Sequence, residues 1–249
     1  MNEVNIVSSD ARYVTVNGML NEKGFKSSIC TPNTVESPDI LILPIKSTLC
    51  DEEFSRIFQG LKSSAFVFCG DSDRVRKFFG GKIIDYSQSE QLLDRNAYIT
   101  AECAISIALG RLLKTFSESS IAIIGYGRIG KHLCKLSKSL GASVTVFSRR
   151  EQSRIDAIEI GYKAYPISSL SKGYYDVIFN TAPSPIISKK ESDKISKQSL
   201  VLDLASLPGG FEDAEFPERA LALPGKMKPE SAGRAIFDFV YEYISTERN

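Results

Sequence analysis

Residues 121–150 read IAIIGYGRIGKHLCKLSKSLGASVTVFSRR, and their order decides the fold. IAII (121–124) is a short apolar run of the kind that forms a buried strand. It leads directly into Gly125-Tyr126-Gly127-Arg128-Ile129-Gly130. A GxGxxG pattern alone is weak. Here it opens a stretch in which Ile129, Leu133, Leu136 and Leu140 recur at helical spacing, with Gly141 placed to end the helix. VTVF (144–147) follows at once as a second strand. Strand, glycine loop, helix and strand in this order are the context that identifies a dinucleotide-binding unit.

Each glycine has a physical task. Gly125 makes the tight turn, Gly127 lets the backbone approach a pyrophosphate, and Gly130 lets helix and strand pack closely. The helix N-terminus then offers N–H groups and a positive dipole to the phosphates. Gly125, Tyr126, Gly127, Arg128, Ile129 and Gly130 are therefore expected to bind the cofactor.

The second strand ends unusually. An acidic residue about 20 positions past the glycine loop bonds the ribose hydroxyls of NAD. Ser148, Arg149 and Arg150 stand there instead. An acid would repel the 2′-phosphate of NADP, whereas an arginine pairs with it. NADP is thus expected over NAD, with these three residues reading the 2′-phosphate.

Further along, YKAY (162–165), YDVIFN (175–180) and LVLDLAS (200–206) complete a run of strands. Three stretches on this side are polar or rich in Pro and Gly: Asn180-Thr181-Ala182-Pro183, the loop from Asp203 through Ser206 to Gly210, and Leu223-Pro224-Gly225-Lys226. Ligands bind beyond the carboxyl ends of such strands, so these stretches are expected to edge the nicotinamide end of the cofactor. Asn180, Thr181, Ala182, Pro183, Asp203 and Ser206 join the expected cofactor residues. The sole histidine, His132, lies just past the glycine loop, away from any hydride transfer, so a histidine-driven mechanism is not expected.

Towards the N-terminus, NIVSS (5–9), SSIC (27–30), DILILP (39–44), AFVFCG (65–70) and KIIDY (82–86) read as strands. EEFSRIFQGL and DRVRKFF between them read as helices. A long apolar helix is expected over 96–116, and a last one over PESAGRAIFDFVYEYI, with Ala232, Ile236, Phe239, Val240 and Tyr243 on one face. The expected organisation is a smaller parallel α/β domain over 1–95, a linking helix over 96–116, the nucleotide domain over 117–226, and a helix over 227–249 crossing back to the first domain. The two long helices are expected to tie the halves together across a cleft.

The bulk properties agree with a globular chain of two domains. There are 249 residues, 43% hydrophobic and 24% charged, with a net charge of +1. So balanced a charge argues against a nucleic-acid or membrane-surface binder. Five scattered cysteines with no CxxC suggest neither disulfides nor a metal site, and no metal is expected. With no signal-like or spanning segment read in it, the chain is expected in the cytoplasm.

The quoted stretch, together with FNTAPS (179–184), LDLASLPGG (202–210) and ALPGKMKPESAGR (222–234), resembles the A-subunit family of bacterial dipicolinate synthases. NAYITAECAISIAL (96–109) resembles that family's helix before the nucleotide domain, and VSSDAR (7–12) and LPIKST (43–48) resemble two N-terminal loops more loosely. The resemblance implies a flavodoxin-like N-terminal domain with a C-terminal NADP-binding Rossmann domain. It implies oxidation of 4-hydroxy-tetrahydrodipicolinate or dihydrodipicolinate to dipicolinate during sporulation. The implied partners are a small dicarboxylate substrate and a flavoprotein-like B subunit; apart from the resemblance, a homodimer is also expected. Thr100, Lys226 and Ser231 are the expected substrate-contacting, catalytic residues, with Arg12 and Lys46 as further cations. The chain departs from the family in a shorter N-terminal domain, in SSDAR where glycines precede the aspartate, and in Ile99 and Cys103 where proline and glycine are usual. These departures keep two alternatives open: a dehydrogenase or reductase of another small carboxylic acid, and a non-catalytic NADP(H)-binding regulatory protein.

Overall fold

A computed structural model of the chain describes residues 3–45, 47–213 and 215–247. These residues divide into two compact units, one made of those within 3–96 and 225–247, the other of those within 97–224.

The first unit is built on five parallel strands: β1 (Glu3–Val7), β2 (Lys26–Cys30), β3 (Ile40–Ile42), β4 (Phe66–Cys69) and β5 (Lys82–Asp85). Their order across the sheet is β2-β1-β3-β4-β5, the flavodoxin-like arrangement. Helix α1 (Arg12–Glu22) follows β1 and buries Tyr13, Val16 and Leu20, which fall on one face at helical spacing. Helix α2 (Asp51–Gln59) lies between β3 and β4, and the short α3 (Ser72–Val75) between β4 and β5. The 73–79 stretch expected as a helix is helical only in its first part. One sheet face carries Val4, Ile6, Ile40, Ile42, Phe66 and Phe68 into a core with α1, and the other carries Leu41, Val67 and Cys69 against Phe54 and Ile57 of α2.

Helix α4 (Glu90–Arg111) differs from the helix expected over 96–116. It starts earlier because the Ser89 hydroxyl accepts the Leu92 N–H, and Glu90, Gln91, Asp94 and Arg95 in its first turns break the apolar pattern. It stops before Thr115, whose hydroxyl hydrogen-bonds the Glu118 carboxylate in a separate short turn. The division between the two units falls within α4, after Asn96.

The second unit contains β6 (Ser120–Ile124), α5 (Arg128–Ser139), β7 (Ser143–Phe147), α6 (Glu151–Glu159), β8 (Lys163–Tyr165) and β9 (Val177–Asn180). It continues through α7 (Lys189–Ser192), β10 (Leu200–Asp203) and β11 (Glu218–Arg219). All six strands are parallel, in the order β11-β10-β9-β6-β7-β8. Counted from β6, this is the 3-2-1-4-5-6 order of a Rossmann fold. Helix α5 ends at Gly141, whose φ of 86° permits paired Gly141-to-Lys138 and Ala142-to-Ser137 backbone bonds.

LPGK, expected as a loop, is helical: α8 (Leu223–Met227) runs up to α9 (Pro229–Thr246). Within the first unit, α9 buries Ala232, Ala235, Ile236, Phe237, Val240 and Ile244. Phe239 and Tyr243 are partly buried against the same core. Each large side chain buried this way contributes about 1.5–3 kcal/mol.

Candidate functional site

The glycine turn sits where β6 meets α5. Gly125 has φ 93°, and a side chain there would press on the Thr181 hydroxyl. A Cβ on Gly130 would overlap the Gly125 carbonyl oxygen, so helix and turn are in backbone contact. At Gly127 a Cβ would meet nothing within 4 Å. Gly127 is also the N-cap of α5, and it supplies no side chain to its first-turn N–H groups. The turn is thus tight on two sides and open on the third, which is the shape a phosphate chain requires. The Tyr126 side chain is buried, edge-on to Tyr162, and burial pushes its hydroxyl pKa up to about 12. Arg128 is exposed and Ile129 half-buried at the start of α5.

A pocket of about 300 Å³ lies beside this turn. Its walls are Gly125, Tyr126 and Gly127 from the turn, and Ser148, Arg149, Arg150 and Ser153 from the end of β7 and the start of α6. Thr181, Ala182, Pro183, Ser184 and Ile186 close it from the loop after β9. Ser148 is buried, and its hydroxyl accepts the Arg150 N–H at 3.2 Å. Arg149 and Arg150 are exposed, and one Arg149 Nη reaches the Ser184 hydroxyl at 3.4 Å. The Arg154 guanidinium binds the carbonyls of Ser148 and Arg149, both at 2.9 Å.

Asn180 and Asp203 occupy a different layer. Neither lines the pocket, and both side chains are fully buried. The Asn180 amide donates to Asp203 Oδ1 and to the Ala182 carbonyl, while its oxygen accepts the Ala182 N–H. Asp203 also accepts the N–H groups of Ala205 and Gly210. These two residues, expected at the cofactor, hydrogen-bond the loops that follow β9 and β10. Thr181 both donates its N–H and gives its hydroxyl hydrogen to the Ile124 carbonyl, pinning the loop after β9 to the end of β6. Ser206 is exposed on the loop after β10 and lies outside the pocket wall.

The substrate-side candidates fall as follows. Thr100 lies near the start of the helix expected over 96–116, but it is buried about three turns into α4, away from the free N–H groups of a helix start. Ser231 is exposed in the first turn of α9. Lys226 is exposed on α8. Arg12 is held by Asp10, with Nη2 at 2.7 Å and Nε at 3.0 Å from both oxygens. The Arg12 hydrogen bond holds the Asp10 carboxyl below the usual carboxylate range, so this positive charge is already matched. A Cβ on Gly225 would stand 3.3 Å from both Arg12 Nε and an Asp10 oxygen, which brings the Gly225 backbone against this pair. Lys46 lies outside the described residues. His132 meets the ring of Tyr98 edge-on at 5.5 Å.

Known proteins share this fold. The NAD-binding domain of D-isomer specific 2-hydroxyacid dehydrogenases matches residues 88–202. The A subunit of dipicolinate synthase from Bacillus subtilis (strain 168) is 24% identical over 98% of this chain and 96% of its own length. This chain resembles that A subunit from end to end. The crystal structure of the same Bacillus subtilis protein superposes with a TM-score of 0.82 at 20% identity, covering 98% of this chain and 96% of that one. That likeness is one of fold. NADP-dependent alcohol dehydrogenase C 1 of Mycolicibacterium smegmatis is 28% identical over 42% of this chain and 29% of its own.

The chain therefore carries a dehydrogenase-type domain for a nicotinamide nucleotide, within the fold of a dipicolinate synthase A subunit. Four residues of the pocket neighbourhood escaped the sequence reading: Ser153, Ser184 and Ile186 in its wall and Arg154 behind it. Ser153 and Arg154 belong to RREQSR (149–154), whose first two arginines are conspicuous after a strand while the next turn of helix is not. Among the described residues, no helix is long and apolar enough to cross a membrane, and no group of three or more His, Cys, Asp or Glu is placed to hold a metal.

Proposed function

We propose that this protein is an NADP-dependent oxidoreductase of the dipicolinate synthase A type. It would oxidise 4-hydroxy-tetrahydrodipicolinate, by way of dihydrodipicolinate, to dipicolinate during sporulation. The observation that carries the reading is that Ser148, Arg149 and Arg150 line the same pocket as the glycine turn, where an NAD enzyme would present an acid. The residues fit the nucleotide: the open side of Gly127 and the start of α5 suit its pyrophosphate, and the two arginines suit a 2′-phosphate. When bound, the nicotinamide supplies a hydride acceptor. Asn180 and Asp203 keep the neighbouring loops in place, and Thr100, Lys226 and Ser231 are the chain's groups assigned to the substrate.

The chemistry suits a site with no catalytic histidine. Loss of water, then of a hydride and a proton, turns the substrate ring into an aromatic pyridine, so the product itself contributes driving force. The proposed partners are a second copy of this chain and a flavoprotein-like B subunit, in the cytoplasm.

A second reading is oxidation or reduction of another small carboxylic acid. The Asp10–Arg12 pair favours it, because a cation expected for a second carboxylate is already neutralised. Turnover separates the two. Incubation of the precursor with NADP and the protein, alone and with a dipicolinate synthase B subunit, is expected to yield dipicolinate. No dipicolinate under either condition, with turnover of a different acid from a panel, would establish the second reading.

A further inference from the structure

Arg154 has a place in the site that neither its position in the sequence nor the pocket wall reveals. It sits in the second half of RREQSR, on the first turns of α6, and is half-buried. Its Nη1 bonds the carbonyl oxygens of Ser148 and Arg149, both at 2.9 Å. It does not line the pocket that Ser148, Arg149, Arg150 and Ser153 do.

In a trans peptide the C=O and N–H point in opposite directions. The Ser148 carbonyl shares its peptide plane with the Arg149 N–H, and the Arg149 carbonyl with the Arg150 N–H. Drawing both oxygens towards Arg154 turns both N–H groups away from it. The Arg150 N–H then meets the hydroxyl of Ser148, a pocket residue, at 3.2 Å. One guanidinium thus removes two carbonyl dipoles that would repel an anion and directs the peptide donors to the opposite side. The same turn carries the exposed Arg149, whose side chain reaches Ser184 across the pocket.

We propose that Arg154 is the positioning residue for recognition of a ribose 2′-phosphate: it holds the turn between β7 and α6 in its phosphate-accepting shape without touching the nucleotide. This role rests on the NADP reading given above.

The test is a titration of wild type, Arg154→Met and Arg154→Lys with NADPH and with NADH. Methionine keeps much of the apolar stem and removes both bonds; lysine keeps the charge and loses the planar fork. Arg154→Met is expected to weaken NADPH roughly tenfold while moving NADH by less than about twofold, with Arg154→Lys in between. In an Arg149→Ala/Arg150→Ala background, Arg154→Met is expected to cost less NADPH affinity than it does in wild type, because the part of its effect that runs through those two side chains is already lost while the part carried by the peptide groups of the turn remains. Equal loss of both cofactors would reduce Arg154 to a structural contact and overturn the role. So would a wild-type preference for NADPH that survives Arg154→Met. A wild type that binds NADH as tightly as NADPH would overturn the cofactor reading itself, and the role with it.

Discussion

Asn180 and Asp203 face each other across the ends of β9 and β10, joined by a 2.7 Å hydrogen bond between fully buried side chains. Asp203 also accepts the N–H groups of Ala205 and Gly210 and lies 3.9 Å from the Arg219 guanidinium, and a Cβ at Gly210 would overlap the Asn180 amide. Two loops of the second unit are therefore locked from beneath by one polar pair. Asp203→Asn keeps the shape but turns one acceptor into a donor facing another donor. We expect a loss of about 1–3 kcal/mol in urea denaturation, since a buried polar group is left unsatisfied. Unchanged stability would mean the pair does not hold the loops.

Gly127 and Gly130 separate shape from ligand contact. Gly130→Ala forces a methyl into the Gly125 carbonyl, so it should lower stability and weaken NADPH and NADH alike. Gly127→Ala projects into open space and should leave the melting temperature nearly unchanged while weakening both nucleotides. A Gly127→Ala protein with wild-type affinity would place the pyrophosphate elsewhere.

In the first unit, α9 crosses the start of α1 at Gly233, where a Cβ would overlap the Arg12 carbonyl and crowd Thr15. Gly233→Ala is expected to destabilise by about 1–3 kcal/mol through overpacking. Thermal denaturation of wild type and variant side by side reads this directly. An equal or higher melting temperature would show that the helices can separate at little cost.

The Asp10–Arg12 pair gives a pH signature. Asp10 has a lowered pKa in the folded state, chiefly from the Arg12 hydrogen bond. Its contribution is therefore present above the ordinary carboxylate pKa and is lost as pH falls through the lowered value. Urea midpoints of wild type and Arg12→Met should differ at neutral pH and converge on acidification. A gap that stays constant into acid would assign the effect to packing of the Arg12 stem.

Much of this architecture is legible in the sequence because it rests on short-range chemistry. GYGRIG between an apolar run and a periodic helix leaves few options, and SRR after a strand is chemically explicit. Helix α1 is not legible in this way: its stretch RYVTVNGMLNE is rich in β-branched residues and contains Gly18, which obscures the spacing of Tyr13, Val16 and Leu20. Thr100 falls near the start of the helix expected over 96–116 only because Glu90, Gln91, Asp94 and Arg95 interrupt the apolar pattern in the first turns of α4. Ser184 and Ile186 carry no such signal, since they reach the pocket only through the bend of the loop after β9. Nor does the pattern distinguish Asn180 and Asp203, which lie behind the site, from Thr181 and Ala182, which wall it.

Selection of a 2′-phosphate at the end of β7 is read from the affinity of wild type and Arg149→Ala/Arg150→Ala for NADPH and NADH under the same salt. Wild type is expected to prefer NADPH, and the double variant to lose NADPH affinity by at least about tenfold with NADH nearly unchanged. Equal wild-type affinities, or a uniform loss of both nucleotides in the variant, would rule out a 2′-phosphate site there.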